Sequence, residues 1–344
     1  MTTKSGLRAL ALCAAAGVAL AGPAPAETKP DVPIVKAKVK MSHVPSTAYG
    51  GVYVALERGY FAQRGLEVEL VIVRGGDTTF QIAGGTLDFA GGSPDSAFFN
   101  GLKRGLPLMA ISSLAVNGPT DSNTPLMLRK VLSDSGKVKT VADLKGLKVA
   151  NLAPGGITEY LTALALKTGG LAIKDIDYVT PMGFGQMVEA LKTNAIDAAI
   201  LAEPFATLAE KSGNAVRLSR KHDLGEQLLF IKANKEFAAK NPDIVVNFLI
   251  AYLMGARELA GDGATKPENV ALMQKYTRLP PEVIMAATPA ILPVNGEFNT
   301  ESIMAQQSFH LASGRLTYTD PIPATEFLIP TYLEKAVAFL GKAK

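Results

Sequence analysis

Apolar and polar positions along this chain repeat one grammar: a short apolar run, a loop bearing glycine or proline, then apolar residues at helical spacing. Residues 146–167, GLKVANLAPGGITEYLTALALK, show it most fully. There 147–151 predict a buried strand, 153–156 a tight loop, and 158 onward a helix with Leu161, Leu164 and Leu166 inward. Gly155 and Gly156 carry no Cβ, so a ligand can approach their backbone closely. The helix start adds unpaired N–H donors and partial positive charge, a setting that favours an anion. The same pattern recurs at 87–105, where Ser93 predicts an N-cap and Pro94 the first helical position. It recurs at 71–82, with Asp77 placed to cap a helix, and at 196–210, with Pro204 opening a helix after Glu203. One such turn is ordinary in a parallel α/β unit; four predict a crevice at the carboxyl ends of strands.

The remaining elements fit an α/β chain. Residues 38–43 predict the first strand, 49–57 a helix stopped by Gly59, and 68–73 a second strand. The stretch 116–125 (VNGPTDSNTP) predicts a linker, and 227–232 a strand at the return crossing. The C-terminal third predicts helices over 242–260, 267–276, 281–287, 300–313 and 329–339, punctuated by Pro and Gly. Val245, Phe248, Leu249, Tyr252 and Leu253 form the core stripe of the first of these.

Composition changes the picture at the N-terminus. Lys4 and Arg8 precede an apolar run over 9–21 and then Ala24-Pro25-Ala26, the plan of a secretory signal peptide over 1–26 cleaved after Ala26. The run is shorter than the ~20 residues that a membrane span requires. Cys13, the single cysteine, lies inside that leader, so the mature chain holds no disulfide, thiolate metal site or cysteine nucleophile. Removing Lys4 and Arg8 takes the formal charge from +4 to +2, and no basic run tracks a phosphate backbone, which argues against a nucleic-acid partner. His43, His222 and His310 stand singly, so no metal and no cofactor are expected.

The run GGVYVALERGYFAQRGLEVELV resembles the opening of the periplasmic binding proteins for nitrate, sulfonates, taurine and thiamine precursors. GGTLDFAGGSPDSAF, TVADLKGLKVANLAPGGITEYL, NAIDAAILAEPFATLAE and KEFAAKNPDIVVNFLIAY match further elements of that family in order, across most of 38–255. The resemblance implies a two-lobed periplasmic-binding-protein fold. Each lobe would be a mostly parallel sheet flanked by helices, with a helical C-terminal third. Lobe I is expected over 38–116 plus 233–344 and lobe II over 117–232. It also implies a periplasmic solute-binding component of an ABC importer, working with permease and ATPase subunits at the inner membrane. A freely closing carrier is most simply a monomer.

The candidate ligand-binding residues sit at strand ends. Gly155, Gly156, Ile157 and Thr158 are expected to hold an anionic group. Ser93 can cap its helix or offer its hydroxyl to the ligand, with Pro94 and Asp95 beside it. Arg74, next to Gly75, can pair with a carboxylate or sulfonate or reach a surface acid. Asp77 is a helix cap first and a contact second. Ser46, Thr47 and Tyr49 are wall candidates, and Phe184 can stack on a planar ligand. The resemblance places Glu203 and Pro204 in the cleft. There the carboxylate would repel a bare inorganic anion and welcome an amino or ring N–H group; alternatively it pairs with a lysine.

The expected cargo is thus a small organic anion or zwitterion, sulfonate- or taurine-like, or an aromatic or pyrimidine. The alternative is an enzyme on the same fold, similar to pyrimidine-precursor synthases or desulfinases. Their cysteine-dependent sites cannot be transferred to a mature chain without cysteine, which leaves His43 with Glu203 as the pair to suspect.

Overall fold

The computed structural model describes residues 1–2, 29–73 and 77–344. The leader from residue 3 on, with Cys13 and the Ala26 cleavage site, lies outside the described residues. The first stretch runs β1 (Ala37–His43), α1 (Gly50–Glu57), α2 (Tyr60–Gln63), β2 (Leu66–Ile72), α3 (Asp77–Ala83), β3 (Phe89–Gly92), α4 (Ser96–Lys103) and β4 (Leu108–Val116). The middle runs β5 (Leu126–Arg129), α5 (Lys130–Asp134), β6 (Lys148–Ala150), α6 (Ile157–Thr168), β7 (Asp177–Val179), α7 (Phe184–Lys192), β8 (Ala198–Ile200), α8 (Phe205–Lys211) and β9 (Ala215–Ser219). The last stretch is β10 (Gln227–Asn234), α9 (Lys235–Lys240), α10 (Pro242–Glu258), α11 (Pro267–Thr277), α12 (Pro281–Ala286), α13 (Thr300–Ala312) and α14 (Thr331–Leu340).

These strands form two five-stranded sheets, ordered β2-β1-β3-β10-β4 and β7-β6-β8-β5-β9. Both are mixed rather than mostly parallel. β1 runs parallel to β2 and β3, and β6 parallel to β7 and β8. β5 and β10, which each follow a passage between the sheets, enter antiparallel to both neighbours. The strand expected over 227–232 is β10, and it belongs to the first sheet. Helices cover both faces, which is why β4 is mostly apolar, interrupted by Ser112 and Ser113, and buried at eight of its nine positions.

The C-terminal third closes the open edge of β4. Ala110 N–H donates to the Phe327 carbonyl (2.8 Å) and Ile329 N–H to the Ala110 carbonyl (3.0 Å), while Val116 and Ile291 exchange a pair of bonds. The stripe on α10 is core as its spacing predicts: Val245, Phe248, Leu249, Tyr252 and Leu253 are each 0 % exposed. Phe248 stacks on Phe89 at 3.9 Å and on Phe61 at 5.1 Å between centroids, and side chains of this kind stabilise by about 1.5–3 kcal/mol each when buried.

The two passages between the sheets, 117–125 and 220–226, are stitched by one buried carboxylate. Asp223 Oδ2 accepts from Asn117 Nδ2 (2.8 Å), Ser122 Oγ (2.8 Å) and Thr124 Oγ1 (2.7 Å). These three bonds gather on one oxygen, and they tie the return passage to the first.

Candidate functional site

The loops that follow β1, β3 and β6 converge between the sheets. They enclose a cavity of about 180 Å³ lined by Val44, Tyr49, Val73, Thr78, 91–93, 95–97, 152–158 and Leu229. A larger cavity of about 750 Å³ shares Val44, Leu152 and Ala153 with it and continues past Met182, Phe184, Gln186 and Phe205. The two lobes touch here, for Ser96 N–H at the start of α4 donates to the Gly155 carbonyl at 2.9 Å.

Local chemistry explains the shape of each wall. Asp95, not Ser93, caps α4: its Oδ1 accepts Phe98 N–H at 2.8 Å, so the helix begins at Ser96, two residues beyond Pro94. Its other oxygen takes Lys232 Nζ at 3.1 Å, and Lys232 is 0 % exposed. The floor beneath Gly92 is therefore a neutralised pair, and Ser93 is left facing the cavity. Gly91 has no room for a side chain, since a Cβ there would lie 2.2 Å from the Tyr49 ring. Tyr49 is buried, and burial raises its hydroxyl pKa, so it stays a protonated donor.

On the facing wall, Gly155 adopts φ +68°, its N–H donates to Glu159 Oε2 at 2.6 Å, and Thr158 Oγ1 donates to Asn151 Oδ1 at 2.7 Å. These bonds hold the loop so that Gly156, Ile157 and Thr158 present their N–H groups at the open end of α6, where a helix supplies no acceptor of its own. The cavity thus pairs an amide-rich, electropositive end with apolar side chains from Val44, Val73, Leu152 and Leu229.

Of the residues expected from the sequence, Tyr49, Ser93, Asp95, Gly155, Gly156, Ile157 and Thr158 meet around the smaller cavity, and Phe184 lines the larger. Ser46 caps a short turn by accepting Ala48 N–H at 3.3 Å. Thr47 faces a separate cavity of about 190 Å³ beside Leu259, Met273 and Ile284. Asp77 is the first residue of α3, with its side chain exposed. Arg74 and Gly75 lie outside the described residues.

Glu203 lies elsewhere. It is 0 % exposed and accepts from Arg217 Nη2 at 2.6 Å and from Thr207 N–H and Oγ1, both at 3.0 Å. Its partner is an arginine of β9 rather than a lysine, and Pro204 caps α8 beside it. His43 meanwhile bonds Tyr53 through Nδ1 at 2.9 Å, so these two side chains are committed to different partners. Sequence reasoning missed Leu229, Leu152 and Ser96. Strand periodicity names the faces of β10 without saying which one meets the cleft.

Two mixed α/β sheets that close on each other through strand-end loops define the bilobal periplasmic-binding-protein fold. The chain belongs to the NMT1/THI5-like family, whose model matches residues 46–264. An Escherichia coli (strain K12) protein named for binding aliphatic sulfonates is 29 % identical over 174 residues, which are 48 % of this chain and 52 % of that one. The chain thus spans about half the length of that relative. The periplasmic nitrate-binding protein NrtA from Synechocystis PCC 6803 superposes with a TM-score of 0.76 at 17 % identity, covering 89 % of each chain. The desulfurization enzyme DSZB shares the fold at a TM-score of 0.63 and 13 % identity, covering 88 % of this chain and 99 % of that one.

Proposed function

We propose that this chain is the extracytoplasmic solute-binding component of an ABC importer, closing two lobes on a small organic anion. The observation that carries this reading is a cavity built by loops of both sheets, with the α6 amides open at one end and apolar side chains at the other. A sulfonate or carboxylate head on a short apolar body suits both ends. The sulfonate-binding relative supports the head group. Because Glu203 is bound to Arg217, nothing at that position asks for an amino group, and alkanesulfonates stand ahead of taurine.

In this reading the leader is cleaved after Ala26 and the carrier works in the periplasm as a monomer that delivers to permease and ATPase subunits. Because β10 pairs with β3 and β4, the return boundary falls before Gln227 and not at 232: the lobes are 38–116 plus 227–344 and 126–219, with the passages stitched by Asp223 as the hinge. The ligand stabilises the closed form because only that form surrounds it.

A thermal-shift screen of the secreted protein against alkanesulfonates, taurine, nitrate, pyrimidines and aromatic carboxylates tests the reading. Saturation at ~100 times the dissociation constant stabilises by about 2.7 kcal/mol. An upward shift with a short alkanesulfonate, recovered intact, is expected. A shift with nitrate alone, or consumption of the ligand, overturns the assignment.

A further inference from the structure

We propose that Arg315 is a positioning residue for the cleft, coupling the approach of the two lobes to the shape of the α6 loop through Glu159. The inference rests on reading the chain as a closing solute carrier. Arg315 follows α13, and its main chain is tied to α4: Asn100 Nδ2 donates to the Arg315 carbonyl at 2.9 Å, and Thr317 N–H donates to Asn100 Oδ1 at 2.9 Å. Its guanidinium reaches across to α6, where Nε meets Glu159 Oε2 at 3.1 Å and Nη2 meets Oε1 at 2.5 Å. That two-point geometry is the strong form of a carboxylate pair and needs both groups in one plane.

Glu159 is 1 % exposed, and the same Oε2 accepts the Gly155 N–H at 2.6 Å. The Gly155 carbonyl in turn accepts Ser96 N–H on α4. The bonds therefore form a circuit: α4 to Arg315, to Glu159, to Gly155, and back to α4. Opening the lobes breaks the circuit at Arg315–Glu159 and at Ser96–Gly155 together. Closing them brings Arg315, the carboxylate's second partner, into place and holds Gly155 in the conformation that presents the α6 amides. Arg315 does not itself line the cavity; it acts through Glu159.

The test uses the secreted protein, Arg315→Met and Arg315→Lys. With ethanesulfonate as the probe, Arg315→Met is expected to release ligand about tenfold faster while its association rate stays within about twofold, as for a coupling that holds the bound state. Arg315→Lys, which keeps the charge and loses the two-point fit, falls between. Without ligand, small-angle X-ray scattering is expected to give Arg315→Met a larger radius of gyration than wild type, and Glu159→Gln combined with it no further increase. Equal release rates and equal radii for wild type and Arg315→Met overturn the proposal. Should Arg315→Met fail to fold, Arg315→Lys decides alone, and identity with wild type in both readouts refutes it. A wild type that ignores ethanesulfonate refutes the proposed ligand class, and the scattering comparison then judges Arg315 by itself.

Discussion

Gly155 shows how much of the cleft depends on single positions. Its φ of +68° lies in the left-handed region, and a Cβ would sit 2.1 Å from Ser96 Oγ across the cleft. Ala at 155 therefore meets two penalties of different kinds. The backbone strain, about 1–2 kcal/mol, is present whether the lobes are open or closed. The collision with Ser96 exists only when they are closed. Gly155→Ala is accordingly expected to lower thermal stability slightly and to weaken ligand binding by at least about tenfold, since 1.4 kcal/mol already gives that factor. Calorimetric titration checks it, and unchanged affinity would contradict the closed contact. The two glycines of this loop were legible in the sequence as a close-approach signal. That Ser96 is what approaches Gly155 was not, because the pair belongs to different lobes.

Among the elements, α8 and β9 form a unit held by a buried charge pair. Arg217 is 5 % exposed at its side chain, bonds Glu203 and also reaches Glu210 Oε2 at 2.9 Å. Burial alone weakens an arginine's hold on its proton, yet the two glutamates outweigh it and raise the Arg217 pKa. Leaving such a cation without its buried partner costs about 3–5 kcal/mol. Glu203→Gln is thus predicted to lower the melting temperature strongly while leaving the order of ligands in the screen unchanged. A change of ligand preference without loss of stability would return Glu203 to the cleft. Helix starts explain a second shift. Ser93-Pro94 looks like a cap and first position, but Asp95 wins the cap because Lys232, from β10, fixes its carboxylate there.

The whole molecule carries a pH dependence that follows from its three histidines. Burial pulls His43, His222 and His310 below their ordinary value of 6.5. For His310 the nearby Asp95 and Glu159 work the other way, and Arg315 adds to the lowering. The unfolded chain therefore takes up more protons than the folded chain as pH falls below that value, so stability declines on acidification. Glu226, raised by burial, has the opposite sign and softens the decline. The melting temperature should therefore be lower at about pH 5.5 than at about pH 7.5. A flat profile would mean that the histidines are not held neutral. The sequence by itself determined what local chemistry determines. The strand–loop–helix units, the α10 core stripe, the Gly59 stop and the glycine loop before α6 all arise from periodicity and backbone freedom among near neighbours. Only the tertiary structure decided where strands 227–234 and 126–129 insert, that Glu203 turns to Arg217, and that Arg315 bridges to Glu159. These pairings join residues 14 and 156 positions apart in the last two cases. At such separations the choice of partner is made by packing and charge compensation in three dimensions, which no local pattern encodes.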